Sequence, residues 1–495
     1  MTNVHLVSTK AMQGASVMVL RTLVLYPIGF IGEVCLARFL QPQDFGVFAI
    51  ASFITVTFAG VMEVGMGASL IQQPEAPNQH QFQTLFSIQL LVISSLVLIL
   101  FLLAPYFFPV FDLDSSVRWV MLALLLCSWI SALGAISSAQ IERELRYAVF
   151  AKIDVLRGFS YVGVAVSLAL FGWGVWSFVV AILVSTLVKT TVAFHASPWS
   201  VKFRLKISGM EKTLRFGFLF QASTLTSLFR DHIGVLLVGP LFGPQSVGYL
   251  NWAKNTTFYT SQIFTQVVSR VTFPSISRIR EHPREVQQMV HTTIKYVNLL
   301  TFPTILIFAA LIPEFVSVVF TSKWAPAIPA FYFYSIRMLG SNITTLHISV
   351  LNGLGHVRTS LRILLWWTLV DWVLAVTLCL WVGFQGVAMA YAISVIPISF
   401  WLLFVLNQQV KIQLYQVLYQ PLMVSGLAAT LVWVVKSYTQ PSWLSITILS
   451  LMGVSTYIAL LMLTEGGSLL KEIRTFLDTL TRGKVPEISD LHPRG

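Results

Sequence analysis

The chain has 495 residues, of which 56% are hydrophobic and only 11% charged, with a mean hydropathy of +0.77. No arrangement of that composition puts a polar exterior around one water-soluble core, so lipid must solvate most of the surface. The formal charge of +12 comes from basic residues dispersed over the connections between apolar runs, so no nucleic-acid partner is expected.

The apolar runs are long and continuous rather than alternating, which predicts helices and not a porin-like barrel. At ~20 apolar residues per crossing, about fourteen transmembrane helices are predicted, at 12–37, 45–70, 83–107, 119–139, 155–171, 174–194, 216–238, 248–268, 296–320, 328–350, 363–382, 386–407, 417–436 and 443–463. The first run is too long for a signal peptide and reads as a retained span. Cys35, Cys127 and Cys379 lie far apart in apolar runs without metal-type spacing, and read as small buried hydrophobes.

Between these spans the lysines and arginines alternate in density. The side holding Lys10, the 202–215 and 270–295 connections and the tail carries 23 of them, against 4 on the other: Arg38, Arg118, Lys323 and Lys436. The positive-inside rule therefore places both termini in the cytosol.

The two halves resemble each other. Leu40-Gln41-Pro42-Gln43-Asp44-Phe45-Gly46 recurs as Phe242-Gly243-Pro244-Gln245-Ser246-Val247-Gly248 at an offset of 202, and Gly14 matches Gly217 at 203. Gly174-Val175 matches Gly386-Val387, and Arg146 matches Arg358, both at 212. A repeat displaced by six spans predicts two bundles of the same orientation, related by an axis along the membrane normal. The expected fold class is an all-α polytopic membrane protein with two parallel-related six-helix bundles plus two C-terminal helices. The expected organisation is 1–195, a 196–215 linker, 216–410, the extra helices at 411–464, and a cytosolic tail at 465–495.

Leu36-Ala37-Arg38-Phe39-Leu40 with Pro42 and Asp44-Phe45-Gly46, followed by Gly65-Met66-Gly67 and Ala68-Ser69-Leu70-Ile71-Gln72, resembles the opening of a known family. It is the polysaccharide-transporter branch of the multidrug/oligosaccharidyl-lipid/polysaccharide exporter superfamily. Arg215-Phe216-Gly217, Pro274-Ser275-Ile276-Ser277-Arg278 and Gly386-Val387-Ala388 fit it too, and the likeness covers about residues 1–410. The resemblance implies a flippase for lipid-linked oligosaccharides in a bacterial inner membrane, with a cavity lined largely by the first two spans of each half.

Charged residues inside spans cost at least ~2.5 kcal/mol each and so need a partner, an interface or a wet cavity. The deep cations are Arg21, Arg230, Lys254 and Arg337; the deep anions are Glu63, Asp231 and Asp371. Asn251, Lys254, Asn255, Gln262, Thr265, Gln266 and Ser269 share one face of span eight, a face too polar for lipid. One reading makes Arg230, Lys254, Arg21 and Arg337, with Asn251, Asn255 and Gln262, a site for a phosphate-bearing headgroup. The other pairs Arg230 with Asp231 or Glu63, and Arg337 with Asp371, to fix helix packing. Glu33 and Lys189 lie near span ends and are expected to snorkel to the interface.

No Walker-type phosphate loop occurs, and no bound cofactor is expected. Coupling to H+ or Na+ remains as the energy source, with Glu63, Asp231 and Asp371 as candidate sites. The basic, periodically apolar segments 202–215 and 276–295 read as interfacial helices on membrane lipids, and the tail resembles them. The expected partners are a lipid-linked oligosaccharide, membrane lipids and polysaccharide polymerase or export machinery. A cation-coupled multidrug exporter would favour an acidic or aromatic cavity, and a glycan polymerase or ligase would need a larger outward loop with acid/base residues. Neither pattern is present.

Overall fold

The computed structural model describes residues 2–62, 78–107, 111, 117–205, 228–279, 283–353, 357–408 and 415–465, and among them the only regular structure is helix. Among the described residues nine helices are long and apolar enough to cross a membrane, or ten if the pair Val117–Leu133 and Ala135–Arg143, bent by 46°, is one span. The bend falls at Gly134, where an added Cβ would meet the Thr190 main chain at 3.1 Å. The chain is therefore a multi-pass membrane protein. Glu63 lies outside the described residues.

In the first half, α1 (Thr2–Phe39), α2 (Pro42–Met62), α3 (Gln79–Phe107), α4 (Val117–Leu133), α5 (Ala135–Arg143), α6 (Tyr147–Leu170) and α7 (Trp176–Ala196) follow one another. Here α1 packs on α6, α6 on α7, and α4 against α2, α3 and α7. The second half contains a π-helical stretch at Gly234–Val238, then α8 (Gly239–Ile279), α9 (Pro283–Phe315), α10 (Ile328–Gly353), α11 (Val357–Val382) and α12 (Gly386–Asn407). Positive φ at Gly243 (75°) breaks α8 near its start, separating the end of one span from the next. Finally α13 (Gln420–Lys436) and α14 (Trp443–Glu465) lie against α9.

The expected interfacial helix over 276–295 has a different form. Helix α8 continues to Ile279 and α9 begins at Pro283, so the connection is two extended spans. Val286, Val290 and Ile294 are buried in a cluster with Ile363, Ile398 and Leu402. Their periodicity therefore signals a seat on α11 and α12, which a bilayer surface would equally have satisfied.

The halves meet where α2 runs along α8. A Cβ on Gly46 would lie 1.6 Å from the Pro244 carbonyl oxygen, and one on Gly248 would lie 1.8 Å from the Pro42 carbonyl oxygen. Both glycines, and both prolines, are separated by 202 positions. A reciprocal contact of this kind is what a local two-fold between repeats produces. Only hydrogen fits at either position, so the two main chains touch directly. Gly46→Ala and Gly248→Ala are each expected to destabilise the protein by about 1–3 kcal/mol, as overpacking does. Because both push the same chains apart, the double variant should cost less than the sum. Thermal unfolding in detergent measures this; unchanged midpoints for both single variants would remove the contact.

Candidate functional site

The second half assembles a charged cluster from four elements: the segment with Arg230 and Asp231, α8 with Lys254, α10 with Arg337 and α11 with Asp371, and Tyr391 of α12 adjoins them. Arg230 and Asp231 precede the π-helical stretch, and there Val235 and Leu236 both donate their N–H to the His232 carbonyl. Distortion of this kind leaves main-chain carbonyls to other donors. Lys254 Nζ, on α8, donates to the Asp231 carbonyl oxygen at 2.9 Å, and the Tyr391 hydroxyl, on α12, donates to the Arg230 carbonyl oxygen at 2.9 Å. The broken span thus becomes the hub of the site.

Two guanidiniums converge on one carboxylate: Arg230 lies 3.4 Å and Arg337 4.0 Å from Asp231 Oδ1. Each also has an aromatic face, Arg230 at 5.3 Å from the Trp367 centroid and Arg337 at 3.8 Å from that of Tyr391. Asp371 is fully buried, accepts a short hydrogen bond from Ser394, and leaves Oδ2 without a partner. Arg230 Nη1 is likewise buried and has no hydrogen-bond partner among the described residues. Among those residues three cations face two carboxylates, an excess of one positive charge.

Asp231, His232, Asn251, Lys254, Tyr334 and Tyr391 line a cavity of about 30 Å³. That holds about one water, not a headgroup. The Asp231 side chain is 45% exposed, however, so the cluster reaches open space beside the cavity. The His232 ring lies 5.0 Å from that of Phe53 of α2, tilted by 40°, bringing the cluster to the junction with the first half.

Of the residues predicted for this site, Arg230, Asp231, Lys254, Arg337 and Asn251 come together, with Asp371 adjoining. The pairing expected of Arg230 with Asp231 is present, whereas Arg337 approaches Asp231 and, among the described residues, forms no ion pair with Asp371. Arg21 lies elsewhere, in an ion pair with Asp154 of α6, its guanidinium 6.0 Å from the Phe150 ring. The α8 face divides, because Asn255 turns toward the first half and lies beside Glu33. The Gln262 side chain lies outside the described ones.

Glu33 differs from its expected position at the interface. Its Oε1 is buried without a partner, and Tyr161 of α6 and Tyr259 of α8 are close enough to feel its charge. Tyr259 also packs against Gly29, Tyr26 and Phe30 of α1. Its place near the end of the first predicted span, with Arg38 close behind, suggested the interface; its position six residues after Pro27, still inside that apolar run, was the available signal for burial.

The solved structure of "Lipid II flippase MurJ, inward closed conformation" superposes with a TM-score of 0.77 over 90% of this chain and 98% of that one, at 15% identity. Such similarity shows the fold. Teichuronic acid biosynthesis protein TuaB of Bacillus subtilis is 22% identical over 54% of this chain and 56% of its own length. Lipopolysaccharide biosynthesis protein WzxC of Escherichia coli is 22% identical over 65% of each. The chain thus spans between about half and two thirds of the length of these relatives. A family profile described as "Polysaccharide biosynthesis protein" matches residues 35–329, more than half of the sequence, and includes the α2–α8 contact and the Arg230–Lys254 hub. The chain belongs to that polysaccharide biosynthesis protein family.

Proposed function

We propose that the protein is a flippase that moves a polyprenyl-diphosphate-linked oligosaccharide across the bacterial cytoplasmic membrane, with its basic connections and both termini in the cytosol. The observation that carries this reading is the buried excess of positive charge around Asp231 among the described residues, where Arg230 Nη1 has no hydrogen-bond partner. A buried unpaired donor on a cation is costly unless an anion completes it. A phosphate oxygen does so with the geometry a guanidinium prefers. The family, the names of its relatives and the flippase fold point the same way.

Anion binding also orders the chemistry. The headgroup approaches from the exposed side of Asp231, and its phosphates displace that carboxylate from Arg230 and Arg337. Rocking of one half against the other about the α2–α8 contact then transfers the headgroup while the lipid tail stays in the bilayer. A multidrug exporter for cationic compounds is disfavoured because three side chains already fill the cationic role at the site. Glycan polymerisation, and direct contact with polymerase machinery, lack any comparable arrangement among the described residues.

Ion coupling has two well-placed carboxylates, Asp371 and Glu33, each with one buried oxygen that has no hydrogen-bond partner among the described residues. Asp231, the other described candidate, is engaged by Arg230, Arg337 and, through its carbonyl, Lys254.

In vesicles loaded with a fluorescent polyprenyl-diphosphate glycan, Arg230→Gln and Lys254→Met are expected to slow translocation about ten-fold or more, the value of a lost charge-assisted hydrogen bond. Parent-like rates in both variants would refute the site. With an imposed H+ or Na+ gradient the parent should accelerate, whereas Asp371→Asn and Glu33→Gln should run at the gradient-free rate; a parent indifferent to both gradients would rule out coupling. Gln245→Cys, exposed on the sparsely charged side, should react with an impermeant thiol reagent added to intact cells stripped of their outer layers. Labelling only after lysis would invert the orientation.

A further inference from the structure

At the end of the interface that carries the Leu40–Pro42 and Gly243–Pro244 turns, each half caps a helix of the other. Lys323 Nζ donates to the Arg38 carbonyl oxygen and Trp324 Nε1 to the Ala37 carbonyl oxygen, each at 2.8 Å. These are among the last carbonyls of α1, which have no acceptors' role left inside their own helix. In return, Arg38 Nη1 donates to the Val318 and Val319 carbonyls at 3.2 and 3.3 Å. Those belong to the π-helical stretch Val316–Phe320 that ends α9.

The exchange is reciprocal and electrostatically matched, since a cation sits at the negative end of each helix. Its geometry is built at a measurable cost. Thr321 adopts φ 86°, ψ 151°, a region that non-glycine residues avoid, and this turn sends Lys323 and Trp324 back over α1. Trp324 is fully buried, edge-on to Phe45 at 5.0 Å and stacked with Trp252 at 5.1 Å. Phe45 precedes Gly46, so the rings continue the main-chain contact of α2 with α8.

We propose that Lys323, Trp324 and Arg38 form a latch that holds this end of the two halves closed, and that it must be released before a substrate can leave on that side. The proposal rests on the reading that the halves move against each other. Their separation at this end strands four helix-terminal carbonyls in one step, so opening is cooperative instead of gradual. Water or a passing polar group can then take over the released carbonyls, which lie at the ends of the candidate spans Val17–Phe39 and Val286–Phe320.

The latch can be measured without any cargo. In a chain with Cys35, Cys127 and Cys379 replaced, spin labels at Gln43→Cys and Gln245→Cys report the width of this end, because both positions are exposed and flank the α2–α8 contact. The parent protein in vesicles should show a narrow short-distance population. Combining Lys323→Met with Trp324→Phe, which keeps the ring stack, should shift the closed-to-open ratio about ten-fold, equivalent to about 1.4 kcal/mol. Arg38→Gln, at an exposed position, should shift it in the same direction and serves if the double variant does not fold. Lys436→Met breaks a comparable bond from α13 to Glu314 and the Ala310 carbonyl of α9, which does not join the two halves, and should leave the distance unchanged. Parent-like distributions in both latch variants, or equal opening by Lys436→Met, would overturn the latch. Failure of the parent to translocate glycan would overturn the flippase reading and leave this result standing.

Discussion

The direct contact of main chain with main chain at Gly46 and Gly248 sets the geometry of the whole molecule. Two helices can approach that closely only where neither carries a side chain, so the crossing point is unique along both. Once it is set, the register of α8 follows: Asn251 and Lys254 lie about one and two turns further on and enter the charged cluster, while Asn255 comes round to Glu33. A single residue of slip would rotate each of these by ~100° and dismantle both arrangements.

Charge buried in an apolar bundle imposes the second constraint. Arg21, Arg230, Arg337 and Lys254 each obtain at least one counter-group, but by different routes. Asp154 serves Arg21 and also lies 4.0 Å from Arg157, Arg230 and Arg337 share Asp231, and Lys254 takes a carbonyl released by the π-helical distortion. The two shared carboxylates differ in the burial of their arginines: the Arg157 side chain is half exposed and solvated, whereas those of Arg230 and Arg337 are both largely buried. The aromatic faces of Trp367 and Tyr391 stabilise these two guanidiniums without neutralising them.

Much of the architecture was legible along the chain. The run lengths place helix after helix close to where they are found, and the short match Pro42-to-Gly46 with Pro244-to-Gly248 anticipates the two residues that touch across the interface. The candidate site was partly legible, because Arg230, Asp231, Lys254 and Arg337 are conspicuous in apolar surroundings. Glu33 and the division of the α8 face were not. Asn251 and Asn255 have the same residue type and lie one helical turn apart, so nothing local distinguishes the one that joins the cations from the one that meets a carboxylate.

Composition and periodicity are properties of neighbouring residues, and by themselves they determined the solvent, the helical class and the repeat. Pairing is a property of space. Glu33 meets Asn255, and Arg38 meets Val318, across more than two hundred residues of sequence, and the partner is chosen by the close crossing of α2 with α8. The tertiary structure therefore decided which buried charges are satisfied, which retain an open valence for a ligand, and where the two halves hold one another shut.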